Sequence, residues 1–434
     1  MPAKKIVFCT FGSLGDLYPI LAVAAGMKRR GHAPTVATSR CYRELVESRG
    51  IDWHDVRPDV DVTDPARLRL AMDRRTGMKY ILNTMIFPGL RDSYEDTAAA
   101  VRDADLMVTH PVTLSAFLVA RKLRLPWATI ALAPASLYSV YDPPLLAGLP
   151  FAERLVTFGP GFQSGLKKFV TYLFELDWKP YRQFERELGL TPTRNPMLWI
   201  PDTDLILALF SPVLGPPQRD WPATTRIAGF PFLPAEDRLP DKLADFLNAG
   251  APPIVFTLGS AAVGAAGDFF LQSAQAAERL GQRSVLLVGR DPRNQPPGRL
   301  PAGAMAVPYA AHSALFPRAS VVVHQGGIGT TAEAMRAGKP TLVVPYSHDQ
   351  PDHGRRLARL GMARTIPRER YASAIATCEL DILMKQASYA ERSAAVSAQV
   401  REESGAEVAC DLLCSLLQAK GGGAELRRRA ALVH

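Results

Sequence analysis

Two passages of this chain follow one plan, and that plan restricts the fold more than any other feature. Ile6-Val7-Phe8-Cys9-Thr10-Phe11, β-branched and aromatic, stops at Gly12-Ser13-Leu14-Gly15-Asp16. Apolar residues then fall at Ile20, Leu21, Val23, Ala24 and Met27, a helical spacing. Gly31 ends that helix, and Pro34–Thr38 has the pattern of a strand. Strand, helix and strand in this order make a βαβ unit, which builds parallel sheets. Leu106–Thr109 and Trp127–Leu132 continue it, with a helical segment at Leu114–Leu123 between them. The plan restarts at Ile254-Val255-Phe256-Thr257-Leu258-Gly259-Ser260, and strands are predicted at Ser284–Val288, Met305–Val307, Val321–His324 and Thr341–Val344. Nine prolines between Pro212 and Pro253 predict an extended linker between the halves.

Two such halves need a large core. The 434 residues, 47% hydrophobic and 21% charged, supply it and exclude a disordered chain. No stretch approaches the ~18 apolar residues of a membrane span. Met1-Pro2-Ala3-Lys4-Lys5 leads into a buried strand rather than a signal peptide, so a cytoplasmic location is expected. Cys9, Cys41, Cys378, Cys410 and Cys414 form no CxxC pair, which indicates neither a zinc site nor a disulfide framework. The net charge of +9 is partly a basic tail and otherwise mixed-sign surface such as Arg182–Glu187, so no nucleic-acid partner follows. Phe162, Leu166, Phe169, Val170, Leu173 and Phe174 share a helical face, with Lys167 and Lys168 off it. Packing against the first domain is expected there. The alternatives are a wall for a hydrophobic substrate or a peripheral membrane contact.

The chemistry concentrates in Val321-Val322-Val323-His324-Gln325-Gly326-Gly327-Ile328-Gly329-Thr330-Thr331-Ala332-Glu333. A buried strand, a glycine turn and a short helix bring backbone N–H groups and the helix dipole to bear on an anion. Thr330, Thr331 and His324 can donate to the same oxygens, and Glu333 can accept two ribose hydroxyls. There is no GxxxxGK[ST], which excludes a P-loop NTPase. No GxGxxG follows the first strand, and no acid closes the second, so a nicotinamide or flavin site is not expected.

His324–Glu333, Ala337-Gly338-Lys339-Pro340 and Pro345-Tyr346-Ser347-His348-Asp349-Gln350 together resemble the donor signature of nucleotide-sugar glycosyltransferases. Among these the chain is similar to bacterial family 1 enzymes acting on natural products, sterols or lipids, rhamnolipid-type rhamnosyltransferases included. Phe11–Pro19 and Thr257-Leu258-Gly259-Ser260 extend the likeness over nearly the whole chain. The resemblance implies an α/β fold of the GT-B type, two Rossmann-like parallel-sheet domains facing a central cleft. The expected division is 1–215 for the acceptor, a linker at 216–250, 251–380 for the donor, helices at 381–418 packing back across both, and a mobile basic tail at 419–434.

The resemblance further implies inverting transfer of a hexose from a UDP- or dTDP-sugar to a hydroxyl of a lipophilic small molecule. No cofactor and no metal are required, and no carboxylate cluster suited to Mg²⁺ or Mn²⁺ is evident. Asp349 and Gln350 would hold the sugar, although Asp349 also suits a helix N-cap. Ser13, Gly259, Ser260, Gly326, Gly327 and Gly329 would line the donor. Tyr309, Ala310 and His312 stand where plant relatives recognise the base. His353 replaces a frequent Asn. Asp16 and His110 exchange the plant residue types and would form the acid–base pair, with either one taking the proton. Acceptor candidates are Phe87, Ser136, Tyr138, Tyr141, Phe169 and Phe174. Other functions compatible with these residues are transfer to a membrane glycolipid, nucleotide-sugar epimerisation, and binding without catalysis.

Overall fold

The computed structural model describes residues 2–59, 64–148, 151–175, 178–193, 203–234 and 238–431. Lys5–Cys9 (β1), Ala33–Thr38 (β2), Asp52–Asp55 (β3), Leu106–Thr109 (β4), Trp127–Ala131 (β5), Leu205–Ala208 (β6) and Thr225–Ile227 (β7) form one parallel sheet. Its order is β3-β2-β1-β4-β5-β6-β7. Ile254–Thr257 (β8), Ser284–Leu287 (β9), Ala304–Val307 (β10), Val321–His324 (β11), Thr341–Val343 (β12) and Ala363–Thr365 (β13) form a second, ordered β10-β9-β8-β11-β12-β13. Each sheet reverses its winding once, between β1 and β4 and between β8 and β11. Ligands of open parallel sheets bind at such switch points, beyond the carboxyl ends of the strands.

The inner strands are largely apolar because both faces are covered. Ile6 and Phe8 pack into one cluster while Val7 and Cys9 pack into another. Val321 and Val323 likewise separate from Val322. Burying each such side chain contributes about 1.5–3 kcal/mol.

The chain's end returns to its beginning. The helix Gly405–Ala431 packs on the helix Leu14–Arg29, with Ala409, Cys410 and Leu413 in the first domain's core. Arg29 pairs with Glu407 at 2.7 Å, and Arg30 with Asp411 at 2.6 Å. All five cysteines are free.

Three expectations change. The span 216–250 is not only linker: it holds β7 and the helix Asp241–Asn248. Proline-rich flanks are tolerated there because β7 is a sheet edge. The final helix continues through Gly421–Gly423 to Ala431 where a tail from 419 was expected. Good helix formers flank the glycines, and propagation adds one bond per residue. On the helix Pro160–Glu175 the apolar face is split. Val170, Gln163 and Thr171 are buried, whereas Phe162, Phe169, Tyr172 and Leu173 point outward. Lys167 faces inward instead, donating to the Tyr138 carbonyl at 2.8 Å with its ammonium over the Tyr138 ring.

Candidate active site

The second switch point carries the glycine loop expected to meet an anion. β11 ends at His324, and the helix Ile328–Ala337 starts behind Gly327. The Gly326 N–H donates to His324 Nδ1 at 2.9 Å, and its carbonyl accepts from His353 Nδ1 at 2.7 Å. The Gly326 peptide is thus pinned between two imidazoles. With Nδ1 accepting, His324 carries its proton on Nε2. Burial, with His312 and His353 nearby, pushes the His324 pKa down to about 3, so the ring is neutral. Four buried polar atoms around the loop make no hydrogen bond within the protein: His324 Nε2, Gln325 Oε1, Thr331 Oγ1 and His353 Nε2, the last 3.7 Å from Asp349 Oδ2. Leaving such groups unpaired costs about 1–3 kcal/mol each, which concentrates at sites that take a ligand.

Gln325, to which the sequence assigned no role, explains two glycines. Its side-chain amide fills the space where Gly259 and Gly327 lack a Cβ. A methyl on Gly327 would stand 2.7 Å from its Nε2, and one on Gly259 would collide with the same atom. Gly259 also has φ +60°, a region that side chains disfavour. The loop after β8 and the loop after β11 are therefore locked together by one residue. Its position in the motif was legible, its contact across the switch point was not.

The first switch point carries Asp16, after β1, and His110, after β4. Ser13 caps the helix Leu14–Arg29, and its N–H and hydroxyl donate to Asp16 Oδ2 at 2.7 and 3.0 Å. His110 Nε2 lies 3.3 Å from Asp16 Oδ1, while its Nδ1 accepts from the Val112 N–H at 3.4 Å. Burial works against ionisation of Asp16. The hydrogen bond and charge of His110, together with Ser13, outweigh it and hold the carboxyl below its usual range. Asp16 stays 28% exposed and His110 only 8%, so the carboxylate is the outward member of the pair. The two loops meet: a Cβ on Gly329 would lie 3.8 Å from the Gly15 Cα.

This arrangement has relatives. Residues 285–414 match the family model described as "Erythromycin biosynthesis protein CIII-like, C-terminal domain". O-mycaminosyltylonolide 6-deoxyallosyltransferase of Streptomyces fradiae is 30% identical over 427 residues, covering 94% of this chain and 96% of that one. The chain belongs to the family 1 GT-B glycosyltransferases. A sterol 3-beta-glucosyltransferase of Emericella nidulans is 29% identical over 381 residues, 82% of this chain but 26% of that longer enzyme. The crystal structure of the glycosyltransferase VinC in complex with dTDP shares the fold, with a TM-score of 0.66 at 18% identity over 96% of this chain and 100% of that one.

Within this glycosyltransferase the remaining predicted residues divide. Thr330 is buried beside the loop, and Ser260 is exposed after β8. Glu333 gives one carboxylate oxygen to Arg336 at 2.7 Å; burial pushes its pKa up against that partner. Tyr309 is 53% exposed. His312 stacks on Phe316 at 4.4 Å, and burial lowers its pKa to about 4. Ala310 is a core residue, so only its backbone can meet a ligand. Asp349 occupies the N-cap position of the helix Gln350–Arg359 but makes no capping bond, and its Oδ2 stands 3.7 Å from His353 Nε2. Gln350 is different. Its Oε1 accepts from the Tyr346 and Ser347 N–H groups at 2.9 and 3.1 Å, so it shapes the loop and has only its amide nitrogen to offer.

Among the acceptor candidates Phe87 is corrected: it packs edge-on against Trp178 at 5.5 Å inside the first domain's core. Tyr138 is buried beneath Lys167, Ser136 is half-buried, and Tyr141 lies under the Arg219 guanidinium at 3.8 Å. Phe169 stands on the outer face, and the side chain of Phe174 lies outside the described residues. A small cavity of about 30 Å³ opens between Thr10, Phe11, Ile86, Leu90 and Thr113.

Proposed function

We propose that the chain transfers a hexose, of the glucose or 6-deoxy type, from a dTDP- or UDP-sugar to a hydroxyl of a polyketide- or sterol-like acceptor, with inversion and without a metal. The observation that carries this is the juxtaposition of two complementary loops. One presents unpaired buried polar groups to an anion, and the other presents an oriented carboxylate. The macrolide-type and sterol relatives support the acceptor class, and the dTDP complex of VinC supports the donor.

In this reaction the acceptor oxygen bonds to the anomeric carbon as the bond to the diphosphate breaks. The loop N–H groups, His324 Nε2–H and Thr330 and Thr331 meet the charge that collects on the leaving group. Asp16 takes the acceptor proton. A carboxylate of lowered pKa is a weak base towards an alcohol, so the transfer falls late, when C–O bond formation has made that oxygen acidic. His110 orients Asp16 from behind, the reverse of the plant order.

Calorimetric titration with UDP, dTDP, GDP and ADP in EDTA tests the donor site. Micromolar binding of dTDP or UDP, weakened about 10- to 100-fold in His324→Ala, is expected. Binding of none of the four would sink the proposal. Incubation of the sugar nucleotide without acceptor separates transfer from epimerisation, because only the latter returns an altered donor.

One observation favours a second reading, an acceptor held in a membrane. Phe158, Phe162, Phe169 and Tyr172 are exposed beside Lys168. Among the described residues no helix is long and apolar enough to cross a membrane. Co-sedimentation with anionic liposomes, abolished in the Phe169→Ser, Tyr172→Ser double variant, is the expected result under that reading.

A further inference from the structure

A charged cluster joins the domains along the helix Gln350–Arg359. Arg356, 1% exposed, donates from Nε to Asp352 Oδ2 at 2.6 Å and pairs through Nη1 with Asp142 of the first domain. Arg359 reaches Asp142 Oδ1 at 2.8 Å. Arg355 donates to the Pro143 carbonyl at 2.7 Å and to Asp352 Oδ1 at 3.0 Å. Asp352, fully buried, also accepts the Leu145 N–H at 2.9 Å. The partners from the first domain are the short loop Asp142 to Leu145 beyond β5 and the Leu214 carbonyl, which accepts from Arg356 Nη1 at 3.4 Å. The arginines and Asp352 all belong to the helix Gln350–Arg359.

Burying an arginine and two carboxylates gains little net stability, because desolvation offsets the attraction. The cluster discriminates in geometry instead. Its donors and acceptors are satisfied together in one seat of loop on helix, and a shifted seat leaves a buried charge unpaired. Both partners carry site residues at their ends. Asp349 and Gln350 begin the helix one turn before Asp352, and Tyr138 and Tyr141 precede Asp142 in the loop. A second tie runs in parallel, where Ser347 Oγ donates to the Asp73 carbonyl at 3.1 Å.

We propose that Arg356 is a positioning residue. Through Asp352 and Asp142 it seats the acceptor-side loop on the donor-side helix, and so fixes the distance between the sugar and the acceptor hydroxyl. This rests on the transferase reading above. A loosened seat admits water, whose oxygen then bonds to the anomeric carbon as the bond to the diphosphate breaks, the proton passing to solvent. The sugar is hydrolysed instead of transferred.

The test measures transfer and hydrolysis together in the full-length chain, with nucleotide affinity as a third readout. In Arg356→Gln and Asp142→Asn the transfer kcat is expected to fall roughly ten- to hundredfold, the range a misplacement of up to an ångström costs. The ratio of hydrolysis to transfer rises, dTDP or UDP binds as before, and Arg356→Lys recovers part of the loss. Arg359→Gln, at a half-exposed position that does not endanger folding, should shift the ratio in the same direction by a smaller factor. If Arg356→Gln does not fold, Asp142→Asn and Arg359→Gln decide. An unchanged ratio in every folded variant overturns the proposal while leaving the transferase reading intact. Absence of nucleotide binding by the unaltered chain overturns that reading, and this proposal with it.

Discussion

The proposed donor and acceptor sides of the cleft are built differently. The part of the donor side meant for the diphosphate is one continuous segment, His324 to Glu333, in which the first residues are buried and pinned by neighbours: His353 on Gly326, Gln325 between Gly259 and Gly327. The acceptor side is assembled from the ends of β1, β4 and β5 and the helix Pro160–Glu175, and much of that helix's apolar surface faces outward. A diphosphate is the same in every sugar nucleotide, and binding it requires many donors converging at fixed angles. A lipophilic acceptor asks mainly for apolar area, which many side chains in many arrangements supply. The difference teaches that rigidity here follows the part of the reaction that does not vary.

The comparison breaks most sharply at Asp16. Asp16→Asn should lower kcat by about 10²–10⁴-fold with nucleotide affinity unchanged. A loss below tenfold would move the base elsewhere. On the donor side, His324→Ala should weaken dTDP or UDP binding about 10- to 100-fold, the loss of one charge-assisted hydrogen bond, and leave the acceptor KM alone. Calorimetry and acceptor titration together separate the two sides.

Acid should expose the donor side through stability. His312 and His324 are held neutral by burial, with pKa values of about 4 and about 3 against an ordinary 6.5. Between 6.5 and about 4 the unfolded chain binds protons at both positions that the folded chain refuses. Stability is therefore complete above 6.5 and falls as the pH drops, by up to about 2.7 kcal/mol per pH unit for two protons. His324→Gln should halve that slope in urea denaturation series at several pH values. An unaltered slope would mean that its imidazole titrates normally in the fold.

The smallest effect belongs to the acceptor side. Phe169→Ser should change stability by less than about 0.5 kcal/mol, as expected of an exposed position, and leave nucleotide binding untouched. A loss above about 1 kcal/mol in thermal melts would show that this face is covered in solution.

Much of this was legible in residue order. β1, β2, β4, β5 and β8–β12 are apolar or β-branched runs bounded by turn residues, the pattern of buried parallel strands. β3, Asp-Trp-His-Asp, and β7 and β13, of three residues each, lie at sheet edges where one neighbour is missing and polarity is tolerated. Leu205–Ala208 is apolar but too short to tell a strand from a buried helical turn. His353 looked like a departure from its relatives. Only the structure shows it bracing Gly326.

The sequence by itself determined the two parallel-sheet halves, the glycine loops at their switch points and the family, because each depends on periodicity or on neighbours a few residues apart. Tertiary structure decided that Asp16 faces outward with His110 behind it, that Lys167 turns inward while Phe169 turns out, and that Asp142 meets Arg356 across 214 positions of chain. Those outcomes rest on burial and on pairing between distant segments, where the same residue types fit several arrangements until packing leaves room for one.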